Sequence, residues 1–177
     1  MTAFRIELDV TIRSAREDDL DALEWFGMFT PHRAIIRDTF AAQQRGDGAM
    51  LVADARGFPV GQTWIDFAAA GPGAGLLWAV RVIPWMQGLG VGGRLLEAAE
   101  TLLRARGAVR AVLGVETENV DARRLYERRG YVVVDRTRGT WTYTDPDGTH
   151  VLVPTEQWVL QKTLGDDGRD RVRERAG

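Results

Sequence analysis

The sequence predicts a single α/β domain built around a mixed central β-sheet. Runs of apolar residues with strand character are interspersed with runs whose apolar residues recur at helical spacing. Glycine-rich turns separate most of these runs. The chain has 177 residues, 45% of them hydrophobic, so it is long enough for one full core and short for two domains.

The N-terminal half predicts a strand, two helices and a hairpin. Residues 4–12 alternate between apolar and polar side chains, as a half-buried strand does. Acidic residues open a helix predicted over 16–26, and a second helix is predicted over 33–44. The apolar runs 50–53 and 60–67 flank a turn and therefore predict a β-hairpin.

The C-terminal half predicts alternating strands and helices. The glycine-rich segment 71–75 is interpreted as a loop into the next strand, rather than as a linker between domains. The later elements are a strand at 76–82, a helix ending near 106, a strand at 108–115, a helix at 121–129, and strands at 131–143 and 151–164 joined by a turn at 145–148. The charged segment 165–177 predicts a disordered tail, which leaves residues 1–164 as the domain.

Composition argues against several classes of function. Twenty-three basic and 25 acidic residues give a net charge of −2, with no electrostatic footprint for nucleic acid or an anionic membrane. The absence of cysteine excludes disulfides, thiolate metal sites and a covalent cysteine mechanism. The two histidines are far apart, so no metal site is expected. Without a signal peptide or an apolar run of about 20 residues, the protein is expected to be cytoplasmic.

The segment Gln87-Gly88-Leu89-Gly90-Val91-Gly92-Gly93 carries the strongest functional signal. It lies between the predicted strand 76–82 and the start of a predicted helix. Glycines let the backbone approach a ligand closely, and the N–H groups of a helix N-terminus lie at the positive end of the helix dipole. The segment therefore predicts a site for a phosphate or pyrophosphate.

One interpretation of this glycine loop is a dinucleotide-binding fold. Gly88, Gly90 and Gly93 satisfy G-x-G-x-x-G, and Glu116 ends the following strand, where a ribose-binding acid would lie. The surrounding sequence does not fit this interpretation. Gly88 follows Val82 by six positions, so the turn is not tight, and the chain after Glu116 has room for only a short helix and a hairpin.

The second interpretation accounts for more of the chain. The pattern Gln87-x-x-Gly90-x-Gly92 is preceded by the run 80–84. A later group follows about 30 residues on, consisting of Asn119, Ala122, Leu125-Tyr126-Glu127 and Gly130-Tyr131. Together with the order of elements over residues 11–164, these motifs resemble the GNAT family of N-acetyltransferases.

The resemblance implies a splayed sheet that binds acetyl-CoA. Backbone groups near Val80 and Val82 would hold the pantetheine arm and polarise the acetyl carbonyl, while residues 87–93 would hold the pyrophosphate. Asn119 would bind the arm or cap a helix. Tyr126 would protonate the departing thiolate, or else pack on the sheet as an ordinary helical tyrosine.

The general base is less well defined by the resemblance. Some members of the family hold a glutamate twelve positions before the tyrosine, and that position is Gly114 here. Glu116 lies two residues further on and faces the same side of an ideal strand, so it is the best candidate, although a solvated strand end is equally compatible. The reserve candidates are Asp66, Glu118 and Glu24.

An apolar cluster at a predicted helix break is the candidate acceptor site. It consists of Trp25, Phe26, Met28 and Phe29, with Trp141 and Tyr143 facing it from the final hairpin. Core packing or dimer contacts would explain the same pattern. The expected reaction is direct acetyl transfer to a primary amine of a small molecule. The alternatives are a peptide or protein N-terminal acetyltransferase and a non-catalytic CoA-binding regulatory domain, and the family resemblance makes a homodimer possible.

Overall fold

The computed structural model describes residues 7–144 and 148–165, apart from the side chains at 143 and 144. Seven strands form one mixed sheet in the order β1-β2-β3-β4-β5-β7-β6. The strands are β1 Thr11–Ser14, β2 Gly48–Ala55, β3 Phe58–Asp66, β4 Ala74–Val82, β5 Arg110–Glu116, β6 Val132–Thr144 and β7 His150–Thr163. The helices are α1 Arg33–Arg45, α2 Val91–Ala105 and α3 Val120–Arg128. The predicted α/β class with a mixed sheet is confirmed.

Helices cover both faces of the sheet, and each face has its own core. On one face, α2 buries Leu95 and Leu96 in a cluster that includes Leu113 of β5. On the other face, α1 buries Ile36 against a cluster that includes Trp64 of β3. We call these the α2 face and the α1 face. Burying such apolar stripes provides most of the driving force for this three-layer arrangement.

The sheet opens between its two parallel strands, β4 and β5. They pair from Ala74 opposite Arg110 to Leu77 opposite Leu113, and within the described residues no pair is recorded beyond that point. Ala79 has a φ of 50°, in the left-handed region that non-glycine residues rarely occupy. The β3–β4 register also shifts here, between Gln62 and Trp64. This bulge bends β4 and leaves the splayed gap that the family resemblance implies.

The predicted helix over 16–26 is wrong. The segment forms two short 3₁₀ turns, Glu17–Asp19 and Ala22–Glu24. Trp25, Phe26 and Gly27 then follow with φ values of 42°, 58° and 91°, which a right-handed helix cannot accommodate. The buried indole of Trp25 donates a hydrogen bond to the carbonyl of Pro59 at 2.7 Å, so a tertiary contact overrides the local helical preference.

The other predicted elements lie within two residues of their observed bounds, except the first strand. That strand is shorter than predicted and runs over Thr11–Ser14, while residues 1–6 lie outside the described part of the chain. Positions 145–147 of the predicted turn and 166–177 of the predicted tail also lie outside it, so the domain boundary stays a prediction. Across 7–144 and 148–165, no helix is long and apolar enough to span a membrane.

Candidate functional site

A cleft of about 760 Å³ opens where β4 and β5 diverge. The splayed end of β4, the glycine loop and α3 form its walls. The predicted cofactor residues in its lining are Val80, Val82, Gln87, Gly88, Gly90, Val91, Gly92, Gly93 and Asn119. Tyr126, Trp25, Met28 and Phe29 line it as well. Leu89 is 68% exposed and lies outside the lining residues of the described chain.

The glycine loop has the geometry of an anion site. Gly88 and Gly90 have φ values of 75° and 86°, and a Cβ added at either position would meet nothing within 4 Å. Gly90 precedes α2, whose first hydrogen bond runs from the Arg94 N–H to the Gly90 carbonyl. The N–H groups of residues 91–93 therefore belong to the open first turn of the helix, where they favour a phosphate oxygen.

Gly92 and Gly93 contribute close packing instead of open space. A Cβ on Gly92 would lie 3.3 Å from Leu125 Cδ2 and 3.6 Å from Val82 Cγ2, so this glycine lets α2 approach both α3 and β4. A Cβ on Gly93 would lie 2.1 Å from Arg129 Nη2. Gly93 therefore makes room for a guanidinium beside the first turn of α2.

Gln87 joins the glycine loop to β4. Its Nε2 donates a hydrogen bond to the Val82 carbonyl at 2.9 Å. The contact fixes the start of the loop against the splayed end of the strand. It also occupies one acceptor site of the Val82 carbonyl, so a ligand lying along β4 would depend more on other backbone groups.

Two predicted residues of α3 face the cleft. Asn119 caps the helix, since its Oδ1 accepts a hydrogen bond from the Ala122 N–H at 3.1 Å, and this confirms the capping role. Tyr126 is buried, and its ring lies edge-on to Tyr131 with centroids 6.1 Å apart. Burial raises the pKa of Tyr126 to about 12, so the hydroxyl keeps its proton at neutral pH.

Basic residues on α3 complete the phosphate side of the cleft. Arg124 and Arg128 line it from positions four apart, which puts them on one face of the helix. Arg124 lies 3.9 Å from the nearest oxygen of the exposed Asp121, a distance that leaves it available to a stronger anion. Sequence analysis missed both arginines, although their spacing on a helix facing the glycine loop was a usable signal.

Glu116 lies beside the gap but outside the cleft lining of the described chain. Val115 is buried in the α2-face core, so Glu116 and Gly114 lie on the α1 face. The carboxylate of Glu116 accepts a hydrogen bond from Gln157 Nε2 at 2.7 Å. A Cβ on Gly114 would lie 2.5 Å from Gln157 Oε1, so Gln157 covers the position where some family members hold their glutamate.

The reserve carboxylates are less suitable. Glu24 is buried and binds Arg33 Nη2 at 2.9 Å, and the hydrogen bonds from Arg33 are the main reason for its lowered pKa. Asp66 accepts hydrogen bonds from the N–H groups of Ala68 and Ala69 in the turn after β3. Glu118 is exposed. In the described residues no group of three or more acidic or histidine side chains could hold a metal ion.

Comparison with known proteins decides the family. A family model described as "Acetyltransferase (GNAT) family" matches residues 13–131, which include the glycine loop and α3. The chain belongs to the GNAT acetyltransferase family. GNAT acetyltransferases use acetyl-CoA as the acetyl donor, so the predicted cosubstrate is confirmed.

Relatives of this GNAT protein agree on the fold. A mycothiol acetyltransferase from Beutenbergia cavernae is 38% identical over 89 residues, which are 50% of this chain and only 26% of that protein. A ribosomal-protein-alanine N-acetyltransferase from Brucella melitensis has a TM-score of 0.69 at 20% identity, covering 86% of this chain and 99% of the other. A putative acetyltransferase from Salmonella typhimurium, determined with acetyl-CoA, has a TM-score of 0.70 at 20% identity, covering 89% and 95%.

The aromatic residues predicted for the acceptor site of this acetyltransferase divide into two groups. Trp25 and Phe29 pack edge-on with centroids 5.4 Å apart at the wall of the cleft. Phe26 is 80% exposed and stacks on Phe58 away from the lining residues. Trp141 stacks on His32, with ring centroids 4.8 Å apart, and Tyr143 has no described side chain.

Sequence analysis also missed Arg81 of β4. Its side chain lines the cleft and lies over the rings of Phe29 and Trp64. The usable signal was a single charged residue within the otherwise apolar strand β4. Trp64 belongs to the α1-face core, so Arg81 lies on the face opposite α2. The α2 face therefore carries the glycine loop, and the α1 face carries Arg81 and Glu116.

Proposed function

We propose that this chain transfers the acetyl group of acetyl-CoA directly to a primary amine of a small molecule. The observation that carries the proposal is one cleft whose lining joins the glycine loop, the splayed end of β4 and Tyr126. The same lining therefore combines a phosphate-binding loop with a buried phenol. The described chain contains no cysteine to carry an acyl group, which favours direct transfer.

The residues of the loop and α3 fit the cofactor. The N–H groups of 91–93 and the guanidiniums of Arg124 and Arg128 would neutralise its phosphates. The backbone around Val80 would pair with the amide groups of the pantetheine arm, as a neighbouring strand would. A backbone N–H there would also stabilise negative charge on the acetyl oxygen as the C–N bond forms.

Glu116 would take the proton from the attacking amine, directly or through one water molecule. Gln157 orients the carboxylate through the 2.7 Å hydrogen bond, which limits its rotation. Both residues lie on the face of the sheet away from the glycine loop. An acceptor that enters from that face meets the acetyl group at the gap, with a base beside it.

Tyr126 would assist the departing sulfur as the C–S bond breaks. Its pKa of about 12 lies above the value of about 8.5 that is typical of a thiol, so complete proton transfer to the thiolate is unfavourable. The hydroxyl would instead donate a hydrogen bond to the sulfur as negative charge develops there. Such a contribution is useful without being indispensable, because a thiolate is already a fair leaving group.

A small-molecule acceptor is preferred to a protein for one reason. The relative with the higher identity is named for mycothiol, whereas the solved structures named for ribosomal proteins are about 20% identical and support the fold only. A regulatory domain without catalysis would bind acetyl-CoA equally well. Turnover with an amine separates these two functions.

The first experiment is calorimetric titration of the wild type with acetyl-CoA, with NAD and NADP in parallel. We expect saturable binding of acetyl-CoA alone. Gly90→Glu should abolish it, because the added carboxylate points into the open space of the pyrophosphate loop and repels the phosphates. Release of free thiol in the presence of an amine panel then tests transfer.

Gly107→Glu is the matched control. Gly107 follows α2 at its other end, has a φ of 79°, and has the same open space around an added Cβ. The control therefore carries the same backbone strain and charge without meeting the cofactor. Equal affinity of the Gly90→Glu variant and this control would overturn the loop assignment, and binding of NAD would restore the dinucleotide interpretation.

A further inference from the structure

Arg81 is a cation without a counter-ion at the edge of the cleft. Its Nη1 is buried and has no hydrogen-bond partner anywhere in residues 7–144 or 148–165. No ion pair to Arg81 is recorded in that part of the chain, whereas most buried charges in proteins are paired. The side chain lines the cleft, and its other nitrogens donate no hydrogen bond to the described residues, so their N–H groups are available to a ligand.

The surroundings of Arg81 are aromatic and uncharged. Its Cζ lies 4.2 Å from the centroid of Phe29 and 5.6 Å from that of Trp64. Phe29 meets His32 edge-on at 5.4 Å, and His32 stacks on Trp141. Ring faces attract the cation but accept none of its in-plane N–H groups.

Two pKa shifts agree with this geometry. Burial lowers the pKa of Arg81 to about 10, which still leaves it cationic at neutral pH. Burial and then the charge of Arg81 lower the pKa of His32, so the imidazole is neutral at the same pH. Arg81 is therefore a positive charge in a site of low polarity, where a single anion would bind strongly.

The register of the sheet relates Arg81 to the proposed chemistry. The last β4–β5 pair is Leu77 opposite Leu113. Arg81 lies four residues beyond that pair on β4, and Glu116 lies three residues beyond it on β5. Both are on the α1 face, so they flank the gap from opposite strands on the side away from the glycine loop.

We propose that Arg81 binds a carboxylate of the acceptor, and that the acceptor is an amino acid with an apolar or aromatic side chain. The proposal rests on the proposed acetyl transfer, since it names the substrate class of that site. One guanidinium presents the planar pair of donors that matches a carboxylate. A phosphate carries more charge than this one cation balances, and the other arginines of the lining belong to α3.

Binding tests the proposal without catalysis. N-acetyl-L-phenylalanine and N-acetyl-L-phenylalaninamide are titrated in the presence of CoA, with the change in intrinsic tryptophan fluorescence as the readout. We expect the acid to bind about 10- to 100-fold more tightly than the amide, the range for a charge-assisted hydrogen-bonded pair. Arg81→Met should abolish this preference, and Arg81→Lys should restore it only in part, since an ammonium lacks the planar fork.

Arg106→Met is the matched control for these variants. The Cζ of Arg106 lies 4.2 Å from the Phe67 ring, the same separation as between Arg81 and Phe29, but Arg106 follows α2 and lies outside the cleft lining of the described chain. The control removes a cation–aromatic contact of the same length, together with a 3.4 Å hydrogen bond to the Gly46 carbonyl, and should keep the preference for the acid. Equal binding of acid and amide, binding of neither, or a preference that survives Arg81→Met would overturn the proposal.

Turnover separates this proposal from the proposed function. L-phenylalanine and L-phenylalaninamide are compared as acceptors, with kcat/KM for thiol release from acetyl-CoA as the readout. If the acid probe binds through Arg81 but no amine of the panel, these two included, supports thiol release, the transfer function is overturned and the carboxylate site stands. If both amines are turned over with equal kcat/KM and Arg81→Met does not change these values, the transfer function stands and the carboxylate site at Arg81 is overturned.

Discussion

Arg13 and Arg81 are the same residue type in two regions with opposite electrostatics. At the β1 edge of the sheet, Arg13 Nη1 and Nη2 bind Asp19 at 2.6 and 2.8 Å, and its Nε binds Asp54 at 2.8 Å. At the splayed end of β4, Arg81 meets aromatic rings instead. The chain supplies the partners of the first arginine, and it supplies no carboxylate for the second within the described residues.

The difference follows the pairing of the strands. Around Arg13, β1 and β2 pair over the whole of Thr11–Ser14, so each charge has a fixed neighbour. Around Arg81 the parallel pair has ended and β4 is bent at Ala79, so groups on its edge face a cleft. A charged side chain whose hydrogen bonds are made within the chain indicates a structural role. A charged side chain without such partners, at a break in the sheet, indicates a ligand-binding role.

The largest expected effect is that of a substitution at Glu116. Its hydrogen bond to Gln157 makes Glu116 resemble a paired structural charge such as Arg13, whereas we propose that it acts as the base. If Glu116 is the base, Glu116→Gln should lower kcat by about 100-fold or more and alter the pH–rate profile, since an amide cannot accept the amine proton. Steady-state rates across pH, with the best acceptor from the amine screen, measure this. Glu17→Gln is the control, because Glu17 is an exposed glutamate outside the cleft lining of the described chain. Rates matching those of the control would place Glu116 with the structural charges.

The stability of the two arginine variants tests the comparison directly. Arg13→Met should lower the free energy of unfolding by about 3 kcal/mol, because Asp19 keeps its buried carboxylate and loses its counter-ion. Arg81→Met should leave that free energy unchanged or raise it, since an unpaired cation is removed from an apolar site. Urea unfolding at neutral pH measures both. A loss of stability in Arg81→Met as large as that in Arg13→Met would break the comparison.

The pH dependence of stability in the Arg13 and Arg81 variants gives a finer test of the comparison. Hydrogen bonds from Arg13 are the main cause of the lowered pKa of Asp19, and for Asp54 they rank second after the Gly57 N–H. A carboxyl whose pKa is lower in the folded state stabilises the fold above its unfolded pKa of about 3.8 and loses that contribution as the pH falls through the folded value. Arg13→Met should therefore flatten the acid limb of the stability curve, while Arg81→Met leaves it unchanged.

Tyr126 gives the smallest expected effect. Tyr126→Phe should lower kcat by about 10-fold while the Kd for acetyl-CoA stays the same, because the hydroxyl acts on the departing sulfur only. Tyr131→Phe is the matched control, since its ring packs edge-on against Tyr126 but lies outside the cleft lining of the described chain. Equal rates in the two variants would assign Tyr126 to packing alone.

Local signals predicted which residues of the glycine loop and α3 line the cleft, apart from Leu89 and the two arginines of α3. The glycine loop, Asn119 and Tyr126 belong to contiguous motifs whose spacing is fixed by one loop or one helix. Such motifs keep their geometry wherever the helix packs, so their positions could be predicted before the fold was known. Gly93 shows the limit of this approach, because its closeness to the Arg129 guanidinium arises only in the folded chain and no local pattern indicates it.

The acceptor side required the tertiary structure. Trp25 breaks the predicted helix because its indole binds the carbonyl of Pro59, a residue 34 positions away. Arg81 was not predicted, because whether an arginine has a counter-ion depends on all the residues that surround it in the folded chain. The apolar cluster predicted for the acceptor divided for the same reason, since Phe26 turned outward to Phe58 while Phe29 turned inward to Arg81.

The alternation of side chains along β4 has a consequence for how such an enzyme changes its substrate. Val80 and Val82 pack on the core of the α2 face, while Arg81 between them packs on Trp64 of the other face. Under the two proposals, one strand would hold the donor on one side and select the acceptor on the other. A substitution at position 81 would then alter the choice of acceptor while the donor side of the strand keeps its packing on the α2 face.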